Sequence, residues 1–207
     1  MSVKQTYYRL YAKKLIAEFE KRNMEGFYFA SAEEALRGIL EMFPENAVVS
    51  CGGSQTLHEI GLIERLKSGA YSFLDPHATQ TPADREKIAH EALACEYYFM
   101  GCNAIAETGE LVNIDGIGNR VAALIFGPRN VIVVAGMNKV VPDLESAARR
   151  TKTQAAQMAV LQFQSAMVSY ETIANAAKDA ESQLVITSRT DYKHRIKVVL
   201  IGENLGY

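Results

Sequence analysis

Two stretches of this sequence collect side chains able to do chemistry. The first is Cys51-Gly52-Gly53-Ser54-Gln55-Thr56, with Glu59 one helical turn further on. Two adjacent glycines let a ligand approach the backbone closely, free N–H groups at a helix start attract anions, and Ser54 and Thr56 add hydroxyl donors. That chemistry suits a phosphate, a carboxylate or a pyrophosphate. The same residues equally describe a tight turn with Ser54 as a helix cap. The second stretch, 100–136, carries Glu107-Thr108-Gly109-Glu110, then Asn113, then Asp115-Gly116-Ile117-Gly118-Asn119-Arg120; Lys139 follows shortly after. Glu107 and Glu110 stand three apart around a glycine turn and can face one cleft, where a carboxylate serves as nucleophile or general base. Arg120 offers the planar fork that matches a carboxylate or phosphate. A buried Arg120 paired with Glu107, Glu110 or Asp115 is the structural alternative. Lys139 is a candidate anion contact.

Several chemistries are unsupported. G-x-x-x-x-G-K-[ST] is absent, so the glycine turn at 52–53 is not a Walker loop. Gly116-Ile117-Gly118 lacks the third glycine of a dinucleotide fingerprint. His58-Glu59 and His90-Glu91 lack the second histidine of a zinc helix, and Cys51, Cys95 and Cys102 form no C-x-x-C pair, so no metal site is expected. No G-x-S-x-G elbow marks a serine nucleophile. Cys51 reads either as a reactive thiol beside a helix start or as a buried cysteine at a strand end. No particular cofactor is indicated.

The elements that must position these residues alternate. Residues 4–23 read as an amphipathic helix on the spacing of Tyr8, Tyr11, Leu15, Ile16 and Phe19, packing on the domain or on a partner subunit. A strand at 27–30 precedes a helix to about 43, opened by Ser31-Ala32-Glu33-Glu34 as a capping box. A strand at 47–51 leads into the glycine turn and a helix over 57–66 bent near Gly61. A strand at 71–74, a helix from Thr81-Pro82-Ala83-Asp84 to about 94, and a strand at 96–100 follow. Short strands flank the turn at 107–110, a small-residue helix spans 121–126, and Gly127-Pro128 ends it. The β-branched run 131–135 is a strand buried on both faces. Over 142–180 the texture becomes Ala-rich, with Leu144, Met158, Leu161, Met167 and Ile173 at helical spacing, so one or two long helices are predicted, with a break near Ser169. Strands at 183–187 and 197–202 close the chain. This alternation predicts a three-layer α/β/α fold with a mostly parallel, Rossmann-like sheet and right-handed crossovers.

The chain has 207 residues, 48% hydrophobic and 22% charged, with a formal net charge of −2. That fits one α/β domain over 1–207 with an appended helical segment. The charge balance leaves no footprint for nucleic acid. No apolar run reaches the roughly 18–20 residues of a membrane span. The amphipathic first twenty residues do not read as a signal peptide, and the odd cysteine count points to a reducing, cytoplasmic setting.

Three pieces carry a family resemblance: G-G-S-Q-T-L-H-E-I-G-L at 52–62, N-A-I-A-E-T-G-E-L-V-N-I-D-G-I-G-N-R-V-A-A-L-I-F-G-P at 103–128, and V-I-V-V-A-G-M-N-K-V-V at 131–141. They resemble the core signature of the LUD domain family, the lactate-utilisation proteins. The similarity covers roughly 1–144 and resumes at 195–207. It implies the fold superfamily that contains ribose-5-phosphate isomerase, glucosamine-6-phosphate deaminase and CoA transferases. There a strand–turn–acid segment such as 106–113 lies at the active-site edge, and a glycine-rich turn after an early strand holds phosphate. Members closest to lactate utilisation protein C carry a cysteine-rich segment between the long helix and the last strands. The corresponding region here, 160–186, has no cysteine, so a metal or iron–sulfur role attached to that segment does not transfer.

The residues and the resemblance together set two expectations. In the first, the protein binds a small anionic ligand at the carboxyl ends of the parallel strands. That ligand is a carboxylate such as lactate or pyruvate, or a phosphorylated or CoA-linked compound. Gly52, Gly53, Ser54 and Thr56 hold its anionic group, Glu107 is the catalytic carboxylate, and Asn113, Asn119, Arg120 and Lys139 orient the ligand. Glu59, Thr108, Glu110, Asp115, Gly116 and Gly118 are further candidate contacts. In the second, the chain is a non-catalytic subunit that docks onto iron–sulfur partners of a lactate-oxidising complex through its first helix or its Ala-rich helices. Homo-oligomerisation fits either.

Overall fold

The computed structural model describes residues 2–162, 169–180 and 183–207. The chain opens with α1 (Val3–Glu20), β1 (Glu25–Phe29) and α2 (Ala32–Leu40), continues through β2 (Val48–Cys51), α3 (Gln55–Glu59), α4 (Leu62–Ser68) and β3 (Ser72–Leu74), and then forms α5 (Pro82–Ala92) and β4 (Tyr97–Gly101). Next come β5 (Ala104–Ala106), β6 (Leu111–Asp115), α6 (Asn119–Ile125), β7 (Asn130–Gly136) and β8 (Val140–Val141). The last part holds α7 (Leu144–Arg150), α8 (Ala156–Gln162), α9 (Tyr170–Ala180), β9 (Gln183–Thr187) and β10 (Ile196–Ile201).

Six strands pair in the order β1-β10-β7-β4-β2-β3, and every pairing is parallel. Because side chains alternate along a strand, the two faces of this sheet build two separate cores. Val131, Val133 and Ala135 of β7 face one way, with Ala12, Leu15 and Phe19 of α1 and Ala123 and Leu124 of α6. Ile132 and Val134 face the other way, against Ala35 and Ile39 of α2 and Leu57, Leu62 and Leu66 of α3 and α4. Helices on both faces of a parallel sheet make the three-layer α/β/α arrangement that the alternation of elements predicts.

A second sheet, in the order β8-β5-β6-β9, stands apart from the first. β5 and β6 form the antiparallel hairpin around 107–110, and β9 extends it antiparallel on the other side of β6. Its small inner residues, Ala104, Ala106 and Val112, pack on Ala147 of α7. This sheet carries Asn113 and leads into Arg120, and so brings both to the carboxyl edge of the main sheet.

Local signals place most element ends. Ser2 and Gln5 form a reciprocal capping box at α1. Ser31 Oγ accepts from Glu34 N–H, whereas the Glu34 carboxylate accepts from Ala30 rather than from Ser31, so the expected box closes one residue early. Thr81 caps α5 as its motif predicts. The bend near Gly61 is a full break: Gly61 has φ 75° and starts α4 as its N-cap.

The Ala-rich segment is helical over 144–162 and 170–180, in keeping with the expected helices and the break near Ser169, but it contains a π turn that the spacing does not predict. α7 passes through a π turn, Thr151–Ala155, into α8, and α9 starts after Ser169, whose hydroxyl accepts from Thr172 N–H at 3.3 Å. Periodicity does not register a π turn, because one extra residue per turn shifts the apolar stripe without removing it. Met167, one of the apolar positions assigned to this segment, lies outside the described residues. Among the described residues, no helix is long and apolar enough to cross a membrane.

Candidate functional site

Three strands of the parallel sheet end side by side, and a cavity of about 270 Å³ opens at their carboxyl ends. Gly53 and Ser54 follow β2, Gly101 ends β4 with Cys102 and Asn103 after it, and Lys139 ends a short 3₁₀ turn after β7. Ile114, Arg120, His58 and His77 also line the cavity. Ala155, Ala156 and Ala159 cover the space, and Gln162 meets Tyr207 through a hydrogen bond from the phenol to the amide oxygen. Crevices outside the strand carboxyl ends are the usual ligand sites of open α/β sheets.

Lys139 is the charge at the floor. Its residue is 3% exposed, and its Nζ donates to Thr56 Oγ1 at 2.9 Å. An ammonium has three donors, and this is its single hydrogen bond to the described residues. No carboxylate among the described residues stands within ion-pair distance of it. Burial pulls its pKa down to about 8, with Arg150 and Arg120 adding to the fall and Cys102 and Glu59 opposing it.

Arg120 also borders the cavity, but its donors are committed. Nη1 donates to Asn113 Oδ1 at 2.7 Å and to Gly101 O at 3.3 Å; Nη2 donates to Ile114 O at 2.5 Å and to Asn103 Oδ1 at 3.0 Å. Nε lies 3.8 Å from Asp115 Oδ2. Four η hydrogens thus meet four acceptors, so Arg120 ties the end of β4 to β6 and is not an open fork for a ligand. Asp115 in turn accepts from Gly118 N–H and Val121 N–H and caps α6. Of the partners considered from sequence, Asp115 is the one beside Arg120.

Arg150 is buried near this network. Its Nη1 donates to Asn103 O, and its Nη2 has no hydrogen-bond partner among the described residues. The same holds for Asn113 Nδ2 and Thr151 Oγ1. Buried unpaired donors cost stability, of the order of 1–3 kcal/mol each, and none of these three residues lines the cavity. Cys102 Sγ donates to Ala104 O at 3.0 Å, and burial pushes the thiol up. Cys51 is buried and its thiol is pushed up to about 12, which removes the reactive-thiol reading. Burial lowers the pKa of His77, favouring its neutral form.

The candidates read from sequence divide into three groups. Gly53, Ser54, Arg120 and Lys139 line the cavity; Thr56 and Asn113 sit directly behind, holding Lys139 and Arg120. Ser54 opens α3 without capping it through its side chain, and its hydroxyl makes no hydrogen bond to a described residue. Gly52 is there for Arg120: a Cβ on it would lie 2.9 Å from Arg120 Cδ. Glu59 is exposed and holds the last residues of the chain, accepting from Gly206 N–H at 2.7 Å.

A second group serves the start of α6. Gly118, at φ 96°, is its N-cap, Gly116 is exposed, and Asn119 is its first residue. These three stay outside the cavity lining. The third group is the hairpin tip. Glu107 accepts from Tyr11 Oη and Lys14 Nζ, both at 2.5 Å, while Glu110 pairs with Arg22 at 2.5 Å and accepts from Thr108 Oγ1. Lys14 and Tyr11 hold the Glu107 carboxyl below its usual range. The two acids therefore face α1 and the turn after it, and neither they nor Thr108 line the cavity. The hairpin turn enters β6 at Leu111, the end opposite Asp115 and Arg120, which a turn-centred reading could not show.

Sequence reasoning missed Asn103, Cys102, His77, the Ala155–Ala159 wall, Gln162 and Tyr207. Gly101-Cys102-Asn103 had a signal, since it follows a strand as Gly52-Gly53-Ser54 does. Among the described residues, no group of three or more His, Cys, Asp or Glu is arranged to hold a metal ion.

Fold and site together define a three-layer α/β protein with a small, cation-floored cavity at the strand carboxyl ends. A model of the LUD domain matches residues 12–201, and the chain belongs to the LUD domain family. A DUF162-family protein from Deinococcus radiodurans has the same fold at a TM-score of 0.54 and 11% identity, over 94% of this chain and 98% of that one. Ribose 5-phosphate isomerase A from Neisseria gonorrhoeae matches with a TM-score of 0.38 and 13% identity, over 86% of this chain and 96% of that one. The Methanocaldococcus jannaschii isomerase gives 0.35 and 14%, over 63% and 65%. No curated protein matches the sequence significantly.

Proposed function

We propose that this LUD-domain protein binds a small anionic ligand in the cavity, with Lys139 as the charge that holds it. One observation carries the reading: a nearly fully buried ammonium uses one of its three donors, on the Thr56 hydroxyl, and faces a cavity instead of a carboxylate. Buried charges are ordinarily paired, and an anionic ligand supplies the missing partner. The Ser54 hydroxyl adds a neutral donor beside it.

Size narrows the class. Small-molecule sites run from about 300 to 1,000 Å³, so a cavity of about 270 Å³ suits a few-carbon acid or a small phosphorylated compound. The nucleotide part of a CoA ester would remain outside. Short organic acids, lactate and pyruvate among them, are the first class to test, in keeping with the lactate-utilisation role that the family resemblance implies. Isothermal titration with lactate, pyruvate, phosphate and sugar phosphates tests the reading: binding by at least one, lost in Lys139→Met, supports it, and no binding by any contradicts it.

A second reading has its own support. Val3, Tyr7 and Leu10 are exposed at helical spacing on the outer side of α1, an apolar stripe suited to a partner subunit. In this reading the stripe docks the chain onto iron–sulfur partners of a lactate-oxidising complex. Co-purification of such proteins that is lost in Tyr7→Glu supports docking; unchanged co-purification contradicts the role of the stripe.

A further inference from the structure

A lysine is a poor choice for holding an anion alone. Arginine keeps its charge at any accessible pH and offers two parallel donors. Here the arginine at the cavity, Arg120, spends its η donors on protein acceptors, and the open position facing the ligand falls to Lys139. What a lysine has and an arginine lacks is a usable lone pair. Lysine amines that are desolvated, or set beside other cations, form Schiff bases with carbonyl substrates.

We propose that Lys139 condenses reversibly with the carbonyl of a short 2-oxo acid held in this cavity. The proposal rests on the anion-site reading above and adds the carbonyl to the ligand's description.

Geometry supports it at three points. First, the space at the amine is kept by a glycine: a Cβ on Gly206, at φ 54°, would lie 3.2 Å from Nζ and 2.4 Å from Thr56 Oγ1. Second, the charged and titratable groups around Lys139 come from four elements: Arg120 of α6, Arg150 of α7, Glu59 of α3 and, after β4, the Cys102 thiol, which burial keeps neutral. Two are cations, and Glu59, the one acid, has an oxygen engaged by Gly206 N–H. The surroundings thus favour a carboxylate in the cavity and a neutral amine at its floor, the pair of conditions a 2-oxo acid needs. Third, the Ser54 hydroxyl lines the same cavity and makes no hydrogen bond to a described residue, which leaves a neutral donor for the ligand. The pKa of about 8 agrees, since it leaves part of the lysine as free amine near neutral pH.

The step balances without a further reactant. The Nζ lone pair adds to the carbonyl carbon and gives a carbinolamine. The former carbonyl oxygen then leaves as water, and a protonated imine remains. One ammonium and one carbonyl give one iminium and one water.

The test is reductive trapping on the full chain. Pyruvate, glyoxylate and 2-oxoglutarate are each incubated with the protein and sodium cyanoborohydride, then read by intact mass and peptide mapping, with thermal shifts recorded in parallel. The expected result is one reduced adduct per chain, on the peptide containing Lys139, with at least one acid. Lys139→Arg should lose that adduct while an acid still raises its Tm. Stabilisation of the wild type by these acids with no adduct on Lys139 overturns the imine and leaves the anion site standing. No stabilisation and no adduct with any of the three, alongside no response to lactate or phosphate, overturns the anion site and the imine together. Labelling spread over surface lysines and unchanged in Lys139→Arg also overturns the proposal.

Discussion

Lys139 Nζ donates to Thr56 Oγ1 at 2.9 Å, and the other two hydrogens of the ammonium find no acceptor among the described residues. The described residues thus leave a buried charge without a carboxylate partner. Removing it should help the fold while harming the site, and that opposition separates a functional lysine from a structural one.

The size of the effect follows from linkage. A fall from 10.5 to about 8 is a penalty on the folded state of roughly 3 kcal/mol. Lys139→Met should therefore be more stable than the wild type by about that much at neutral pH in the ligand-free protein. Below about 8 both states hold the proton and the penalty is full. Between about 8 and 10.5 the unfolded chain binds more protons, so the wild type gains stability relative to the variant. Comparing the two proteins cancels the titration of the alkaline groups that do not interact with Lys139. Denaturant melts at pH 7 and pH 10.5 check this; an advantage of the Met variant that stays constant with pH contradicts it.

Arg120 should behave in the opposite way. Its guanidinium holds acceptors from Gly101, Asn103, Asn113 and Ile114. Arg120→Met leaves those oxygens and the Asp115 carboxylate without it, so a loss of about 3–5 kcal/mol is expected. Arg120→Lys should recover little of it, because one ammonium cannot replace a planar fork with four η donors. Urea melts of both variants decide this.

Glu107 is expected to be silent in ligand binding. Its partners are Tyr11 and Lys14, and it does not line the cavity. Glu107→Gln should leave ligand affinity within error of the wild type and change thermal stability only slightly, as for other partly exposed ion pairs. An affinity loss of tenfold or more would place the hairpin tip in the site after all.

Gly206 tests how closely the end of the chain seals the floor. A Cβ there would lie 2.4 Å from Thr56 Oγ1 and 3.2 Å from Lys139 Nζ, on a backbone at φ 54°. Gly206→Ala should weaken ligand binding by displacing the Lys139–Thr56 pair, with little effect on the melt of the central sheet. Gly116→Ala is the control, since Gly116 is exposed and outside the cavity lining. Equal affinities for the two variants contradict the sealing role.

These contrasts show what the sequence could and could not say. The β-branched run of β7 and the glycine turn after β2 are local signals, and both placed Lys139, Gly53 and Ser54 at a strand carboxyl edge. The partners of Arg120 were open because its acceptors lie 6 to 19 residues away, and their convergence depends on a second sheet. Glu107 looked catalytic because acids around a glycine turn share a local geometry with active sites. Its actual partners, Tyr11 and Lys14, are 96 and 93 residues distant in the chain. The Ala155–Ala159 wall was hidden because the π turn that presents it leaves an ordinary helical texture in the sequence.

The most direct test of the account is calorimetric titration of pyruvate, lactate and phosphate into wild type and Lys139→Met, both shown folded by their melts. The account predicts a saturable, one-site isotherm with at least one anion for the wild type. That signal should vanish in Lys139→Met although the variant is the more stable protein. Equal binding to both proteins, or a Met variant less stable than the wild type with no anion bound by either, would contradict the claim that Lys139 is an unpaired charge awaiting a ligand.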